Sequence, residues 1–182
     1  MKDHDQIRQS NQPLNSLFRK FGFSKLTEIQ KKASPIILQK KDCLVIAPTG
    51  SGKTECSVIP IFSLIKNVKK TGKIKTLYIT PLRALNRDVF RRITEYAHKN
   101  KLTIEIRHGD TSQKDRKKIT ENPPDILITT PETLVILLTQ VKMLTALTDL
   151  EWIVIDEVHE LLSSERGSQL SLSIERLELN SK

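Results

Sequence analysis

The chain has 182 residues, 37% hydrophobic and 28% charged, with 6 Gly and 8 Pro; this is the length of one globular domain, and disordered, collagen-like and low-complexity classes are excluded. No apolar run approaches the about 18 residues of a membrane helix, and the polar start, Met1 to Pro13, lacks the apolar stretch of a secretory signal, so a cytoplasmic protein without a membrane partner is expected. Lys and Arg number 30 against 21 acidic residues, and the net charge of +9 is a field that attracts polyanions, nucleic acid first.

Residues 1–13 read as a polar tail and 14–182 as the folded domain. A helix is predicted over Thr27 to Gln39, where Ile29, Ala33, Ile36, Ile37 and Leu38 recur at helical spacing. Cys43 to Ala47 follows as a first strand, then a helix over Lys53 to Lys69 with Pro60 inside it. Further strands are predicted over Thr76 to Thr80, Thr103 to Arg107, Ile126 to Thr129 and Trp152 to Asp156. Helices are predicted over Arg83 to His98 and over Pro131 to Val141, the latter opened by a proline whose missing N–H costs nothing there. The strands are nearly continuous in hydrophobicity, as expected when helices cover both faces of a parallel sheet. Strand, helix, strand in this order predicts an α/β fold, a three-layer α/β/α sandwich with a mostly parallel central sheet. Ligands of such sheets bind at the carboxyl ends of the strands. The cysteines Cys43 and Cys56 lie in apolar contexts without metal-ligand spacing and read as buried thiols, so zinc and a disulfide framework are not expected.

After the first predicted strand comes Ala47-Pro48-Thr49-Gly50-Ser51-Gly52-Lys53-Thr54. Its glycines let the backbone curl so that N–H groups point inward on a phosphate, Lys53 reaches the terminal phosphates and Thr54 ligates Mg²⁺. Ala47 stands where the strictest form of this pattern has Gly. A Gly-rich turn that only caps a helix is the bland alternative, and the position between a strand and a helix weighs against it. The fifth predicted strand delivers Asp156-Glu157-Val158-His159. Asp156 would hold Mg²⁺ through water, and Glu157 would orient and deprotonate the attacking water. A mere acidic helix start is the alternative here.

Together these two segments resemble motifs I and II of superfamily 2 helicases of the DExH type. Thr80-Pro81-Leu82-Arg83-Ala84-Leu85 is similar to motif Ia, Thr129-Thr130-Pro131-Glu132 to motif Ib, and Leu26-Thr27-Glu28-Ile29-Gln30 to a Q motif, with Leu26 where many members have Pro. His108-Gly109-Asp110-Thr111, Pro123-Pro124-Asp125-Ile126-Leu127 and Arg166-Gly167, followed by an apolar helix ending Glu175-Arg176-Leu177, resemble the large-helicase-related branch of archaea and bacteria. The resemblance runs from Phe21 to Leu179.

It implies a RecA-like P-loop NTPase domain over 14–182, the first motor domain of an ATP-dependent helicase, ending before motif III and before a second RecA-like domain that supplies arginines to the transferring phosphate. ATP and Mg²⁺ are the implied cofactors. Lys53, Asp156 and Glu157 would be catalytic; Gln30, Thr49, Gly50, Ser51, Gly52, Lys53 and Thr54 would bind ATP; Thr54 and Asp156 would hold the metal. Gln30 would read the adenine edge with both ends of its amide, and Phe21 or Phe23 would border the base. Pro81, Arg83, Thr130 and Pro131 would grip the nucleic-acid backbone without reading bases, and His159 would couple nucleotide state to nucleic-acid state. DNA is favoured over RNA because the branch suggests DNA repair or processing, and a monomer is expected. Lys66, Lys69, Lys70, Lys73 and Lys75 read as a solvated face, while Lys114, Arg116, Lys117 and Lys118 lie closer to the ligand edge. A nucleotide-dependent nucleic-acid-binding module without turnover is the competing function; a P-loop kinase or transporter would need a lid, phosphoacceptor site or signature loop that the chain does not present.

Overall fold

A computed structural model of the chain describes residues 12–68, 71–81, 87–162 and 164–180. It divides into two compact units, Met1–Val68 and Lys69–Lys182.

The first unit is helical: α1 (Gln12–Arg19), α2 (Glu28–Leu38) and α3 (Lys53–Ile65), with α2 packed along α3 and α1 against both. Helix α2 starts where Thr27 and Gln30 form a reciprocal capping box, Gln30 N donating to Thr27 Oγ1 and Thr27 N to Gln30 Oε1. Inside α3, Pro60 has no N–H to give the carbonyl of Cys56, and the buried hydroxyl of Ser34 on α2 donates to that carbonyl instead, at 3.0 Å. Pro60 thus leaves an orphan acceptor, and the packing of two helices satisfies it.

The predicted strand over Cys43 to Ala47 is not formed. Residues 41–48 have no regular secondary structure, Leu44 and Ile46 are 74% and 84% exposed, and Cys43 is exposed rather than buried. Apolar β-branched composition favours a strand only where a neighbour supplies the ladder and a face to pack on, and the described residues give this segment neither. Cys56, by contrast, is fully buried, and burial pushes its thiol up to about 12.

The second unit holds four parallel strands: β1 (Thr76–Ile79), β2 (Ile104–Arg107), β3 (Ile126–Thr129) and β4 (Trp152–Ile155), in spatial order β2-β3-β1-β4. Between them run α4 (Arg87–Lys99), α5 (Gln113–Glu121), α6 (Pro131–Leu137) and α7 (Val141–Ala146), and α8 (His159–Leu162) and α9 (Glu165–Asn180) follow. The helix predicted over Pro131 to Val141 is therefore two, parted where Thr139 Oγ1 bonds back to the carbonyl of Ile136 and the chain turns at Gln140. The helix predicted from Arg83 is described from Arg87 onward, and 82–86 lie outside the described residues. Alternation along the strands sends Leu77, Ile79 and Leu127 to a core with Ile119, Leu134, Leu137, Met143 and Leu170 from the helices. The other face carries Tyr78, Ile126 and Ile128, also buried. Burial of both faces is what continuous rather than alternating hydrophobicity requires.

At the amino end of β1 two of the lysines expected on a solvated face, Lys73 and Lys75, are paired, while Lys69 and Lys70 lie outside the described residues. Lys73 and Lys75 both lie 3.2 Å from Asp149, and Lys75 is 7% exposed. The Thr71 hydroxyl, with the two ammonium groups, holds the Asp149 carboxyl down at about 2, against an ordinary 3.8. A carboxyl depressed in the folded state stabilises above its unfolded value and stops doing so as pH falls through the folded one. Asp149→Asn is expected to cost about 1 kcal/mol in urea unfolding at neutral pH, because solvent screens the pair. That gap should narrow from pH 3.8 downward and close near pH 2; a constant gap across that range contradicts the assignment.

Candidate nucleotide and nucleic-acid site

In the first unit, the phosphate loop turns at Pro48–Ser51, with Ser51 N donating to the Pro48 carbonyl at 3.3 Å, and enters α3 through Gly52. Gly50 and Gly52 have φ of 79° and 88°, left-handed values that glycine adopts without strain. No side chain caps α3, so its first N–H groups and its dipole end remain available to an anion. Thr49 is exposed, and Thr54 is half-buried on the first turn. Lys53 Nζ bonds to the Ala47 carbonyl at 2.6 Å, folded across the loop. The Ser51 hydroxyl is buried and has no hydrogen-bond partner among the described residues. A buried unpaired hydroxyl inside a phosphate loop fits a phosphate oxygen as its missing acceptor.

Gln30 is 1% exposed, and its amide nitrogen lies directly against Gly52. Its Oε1 is engaged by Thr27 N, so the amide joins the start of α2 to the phosphate loop, a link that Thr27-x-x-Gln30 spacing makes legible in retrospect. Phe21 is 8% exposed, and Phe23 meets Phe18 edge-on with ring centroids 5.8 Å apart.

In the second unit, register aligns Ile79 with Thr129 and Ile155, and Thr129 with Arg107, so the strands end at one common edge. Thr80 and Pro81, Thr130 and Pro131, and Asp156 leave the sheet together at that edge. Asp156 N extends the ladder to the Ile79 carbonyl at 2.8 Å. Its carboxylate accepts Glu157 N at Oδ1, 3.0 Å, and the Tyr78 hydroxyl at Oδ2, 2.6 Å. Glu157 has φ of 49°, a left-handed conformation costly for a side-chain-bearing residue and of the sort concentrated at functional sites. Its Oε2 lies 3.3 Å from His159 Nδ1, on an imidazole that is 73% exposed.

Thr80 is buried and its N–H bonds to the Thr129 carbonyl; Arg83 lies outside the described residues. Thr130 is 4% exposed, and its hydroxyl caps α6 by accepting Thr133 N and lies 3.1 Å from the Thr133 hydroxyl. Beside it, Glu132 pairs with Arg166 of α9. Burial pushes the Glu132 carboxyl up, but hydrogen bonds from its own N–H, Arg166 and Thr130 hold it below the ordinary value.

Three features escaped the sequence reasoning. Arg107 ends β2 as a 5% exposed guanidinium that, among the described residues, bonds to the neutral Thr120 and Gln140 side chains, and burial lowers its pKa. Arg116, expected near the ligand edge, bonds to the Thr111 and Gly109 carbonyls and braces the His108–Thr111 loop. Lys118 and Lys117 are likewise paired, with Glu105 and Glu121. Tyr78 is the third.

The first unit holds a glycine-rich loop that opens a helix, and the second a parallel sheet whose strand β4 is followed by an acidic pair. A family model described as DEAD/DEAH box helicase matches residues 27–182, and the chain belongs to that family. It is 39% identical over 165 residues to the ATP-dependent helicase Lhr-Core of Saccharolobus solfataricus, covering 84% of this chain and 19% of that protein. Among solved structures it is similar to the Mycobacterium smegmatis helicase Lhr bound to ssDNA and AMP-PNP, with a TM-score of 0.75, 36% identity and coverage of 90% of this chain and 23% of that one. The DEAD-box helicase Mss116 bound to ssRNA and UDP-BeF gives a TM-score of 0.77 at 25% identity, over 91% of this chain and 34% of the other. The chain therefore spans only a minor part of these helicases. Among the described residues no helix is long and apolar enough to cross a membrane.

Proposed function

We propose that this domain binds ATP with Mg²⁺ and hydrolyses it as the first motor domain of an ATP-dependent helicase, driving translocation on nucleic acid together with a second RecA-like domain. The observation that carries this is the acidic pair at the end of β4: Asp156 held by two hydrogen bonds, followed at once by Glu157 in a strained left-handed conformation. Glu157 orients and deprotonates the attacking water, and Lys53 turns from the Ala47 carbonyl to the terminal phosphates. Thr49, Gly50, Ser51 and Gly52 present loop groups to the phosphates. No cluster of three or more His, Cys, Asp or Glu side chains suited to a metal exists among the described residues. That suits Mg²⁺, which binds through one or two protein oxygens plus substrate phosphates and keeps its waters. Thr54 and Asp156 would hold it, and when bound it neutralises phosphate charge.

Gln30 favours adenine through its amide nitrogen; because Oε1 already accepts from Thr27 N, one end of the amide rather than the expected two reads the base. Gln30→Glu keeps an acceptor for the capping box and removes the donor. The expected outcome is a reduced preference for ATP over GTP in competition binding with α2 intact by circular dichroism; unchanged selectivity removes the adenine role.

Pro81, Thr130 and Pro131 contact the nucleic-acid backbone from the common strand edge, Arg83 adds a cation to the same backbone, and the exposed His159, facing Glu157, couples the two ligands. The +9 charge supports such contacts. DNA is the favoured strand, in repair or processing, supported by the large-helicase-related sequence features and the ssDNA of the similar Lhr structure. A DEVH-box, cytoplasmic, monomeric motor completes the proposal. Backbone recognition predicts similar affinity for single strands of unrelated sequence and a steep fall with salt. Strong base preference or salt-insensitive binding in fluorescence anisotropy would contradict it.

A further inference from the structure

We propose that Tyr78 is the positioning residue for Asp156, fixing the carboxylate that holds the metal; this rests on the role given to Asp156 above. Tyr78 lies in the middle of β1, 1% exposed, and pairs in register with Val154 of β4. Side chains two residues apart on a strand share a face, so Asp156, two beyond Val154, lies diagonally across from Tyr78 on the same side of the sheet. The phenol spans that diagonal and donates to Asp156 Oδ2 at 2.6 Å, the short distance of an O–H to an ionised carboxylate.

Two physical points make the hydroxyl more than filling. A hydroxyl buried to this degree needs an acceptor, and the protein supplies one at Asp156, the first residue beyond β4. The second is geometric. An aspartate at a strand end has freedom about its terminal torsion, and one hydrogen bond from Glu157 N at Oδ1 leaves the plane of the carboxylate free to turn about that contact. A second donor at Oδ2 fixes the plane. Each oxygen keeps a lone pair for the water shell of a metal ion, so orientation is gained without using up the ligand. Outer hydrogen bonds of this sort orient metal-holding carboxylates and are worth about 10- to 100-fold in metal affinity. Phenylalanine would fill the same core space and leave Asp156 with one donor.

The test is made in the full-length protein with Mn²⁺ as probe. Mn²⁺ binding to the complex with a non-hydrolysable ATP analogue is followed by electron paramagnetic resonance, alongside the Mg²⁺ concentration giving half-maximal ATP turnover. Tyr78→Phe is expected to weaken Mn²⁺ binding about tenfold and to raise the half-maximal Mg²⁺ concentration similarly, with turnover at saturating Mg²⁺ largely restored. Unchanged Mn²⁺ affinity overturns the proposal. Asp156→Asn is the control: if it weakens Mn²⁺ binding and Tyr78→Phe does not, only the positioning role falls. If neither does, the metal role of Asp156 falls with it. Ile128→Val removes volume from the same buried face, opposite Tyr78 on β3, without touching an acidic group. Equal weakening by Ile128→Val and Tyr78→Phe would show general loosening of the sheet and also overturn the proposal.

Discussion

Glu157→Gln in the full-length protein is expected to lower ATP turnover by about 10²- to 10⁴-fold, the range contributed by a general base, while ATP binding persists. The substitution keeps size and removes the negative charge that takes a proton from water. It also removes one side of the contact with His159, so nucleic-acid stimulation of whatever turnover remains is expected to fall as well. Lys53→Ala provides the contrast. It removes the cation that meets the phosphates, so both nucleotide affinity and turnover fall. Steady-state turnover paired with binding of a fluorescent ATP analogue separates the two. Turnover that survives both changes would show that the chemistry is performed elsewhere.

Gly52→Ala is expected to carry the second large effect, a loss of nucleotide affinity of tenfold or more, about 1.4 kcal/mol or above. An alanine at φ of 88° meets the left-handed penalty of about 1 to 2 kcal/mol. In addition, its Cβ would stand 3.3 Å from Gln30 Cδ and closer still to the amide nitrogen. A mobile side-chain end would yield, but Gln30 is 1% exposed and tied to Thr27 N. The displaced element is therefore the entry to α3, where the phosphate-facing N–H groups lie. Gln30→Ala removes the obstruction and leaves the backbone strain. The double variant should recover part of the affinity; no recovery would place the whole cost in the backbone.

Much of the local structure that carries the candidate residues was legible because it forms from short-range signals. Strand β3 forms over the predicted Ile126–Thr129, and α2 forms between Thr27 and Gln39. Both are short-range matters of apolar pattern and capping. The acidic motif was equally legible, since a strand that ends in Asp-Glu delivers both groups whatever surrounds it. What failed depended on partners. Cys43 to Ala47 has the composition of a strand, yet Leu44 and Ile46 are exposed because composition does not supply a neighbouring ladder. Helix α5 escaped notice because only Ile119 of its residues is buried, although Ser112 three before Asp115 was a readable cap. Arg107, the Glu132–Arg166 pair and the Tyr78–Asp156 bond escaped because each joins groups whose proximity follows from sheet register or helix packing. The first basic cluster read as a solvated face and the second as lying near the ligand edge for the converse reason: sequence counts charges but does not show that Lys73, Lys75, Arg116 and Lys118 already have partners inside the protein.

Coupling between nucleotide and nucleic acid is the central claim, and nucleic-acid-stimulated ATP turnover of the full-length protein measures it most directly. Single-stranded DNA is expected to raise turnover severalfold or more regardless of sequence, with the stimulation lost in Glu157→Gln and suppressed at high salt. Turnover that is the same with and without DNA or RNA, in a protein shown to bind them, would contradict a helicase motor and leave a nucleotide-dependent binding module.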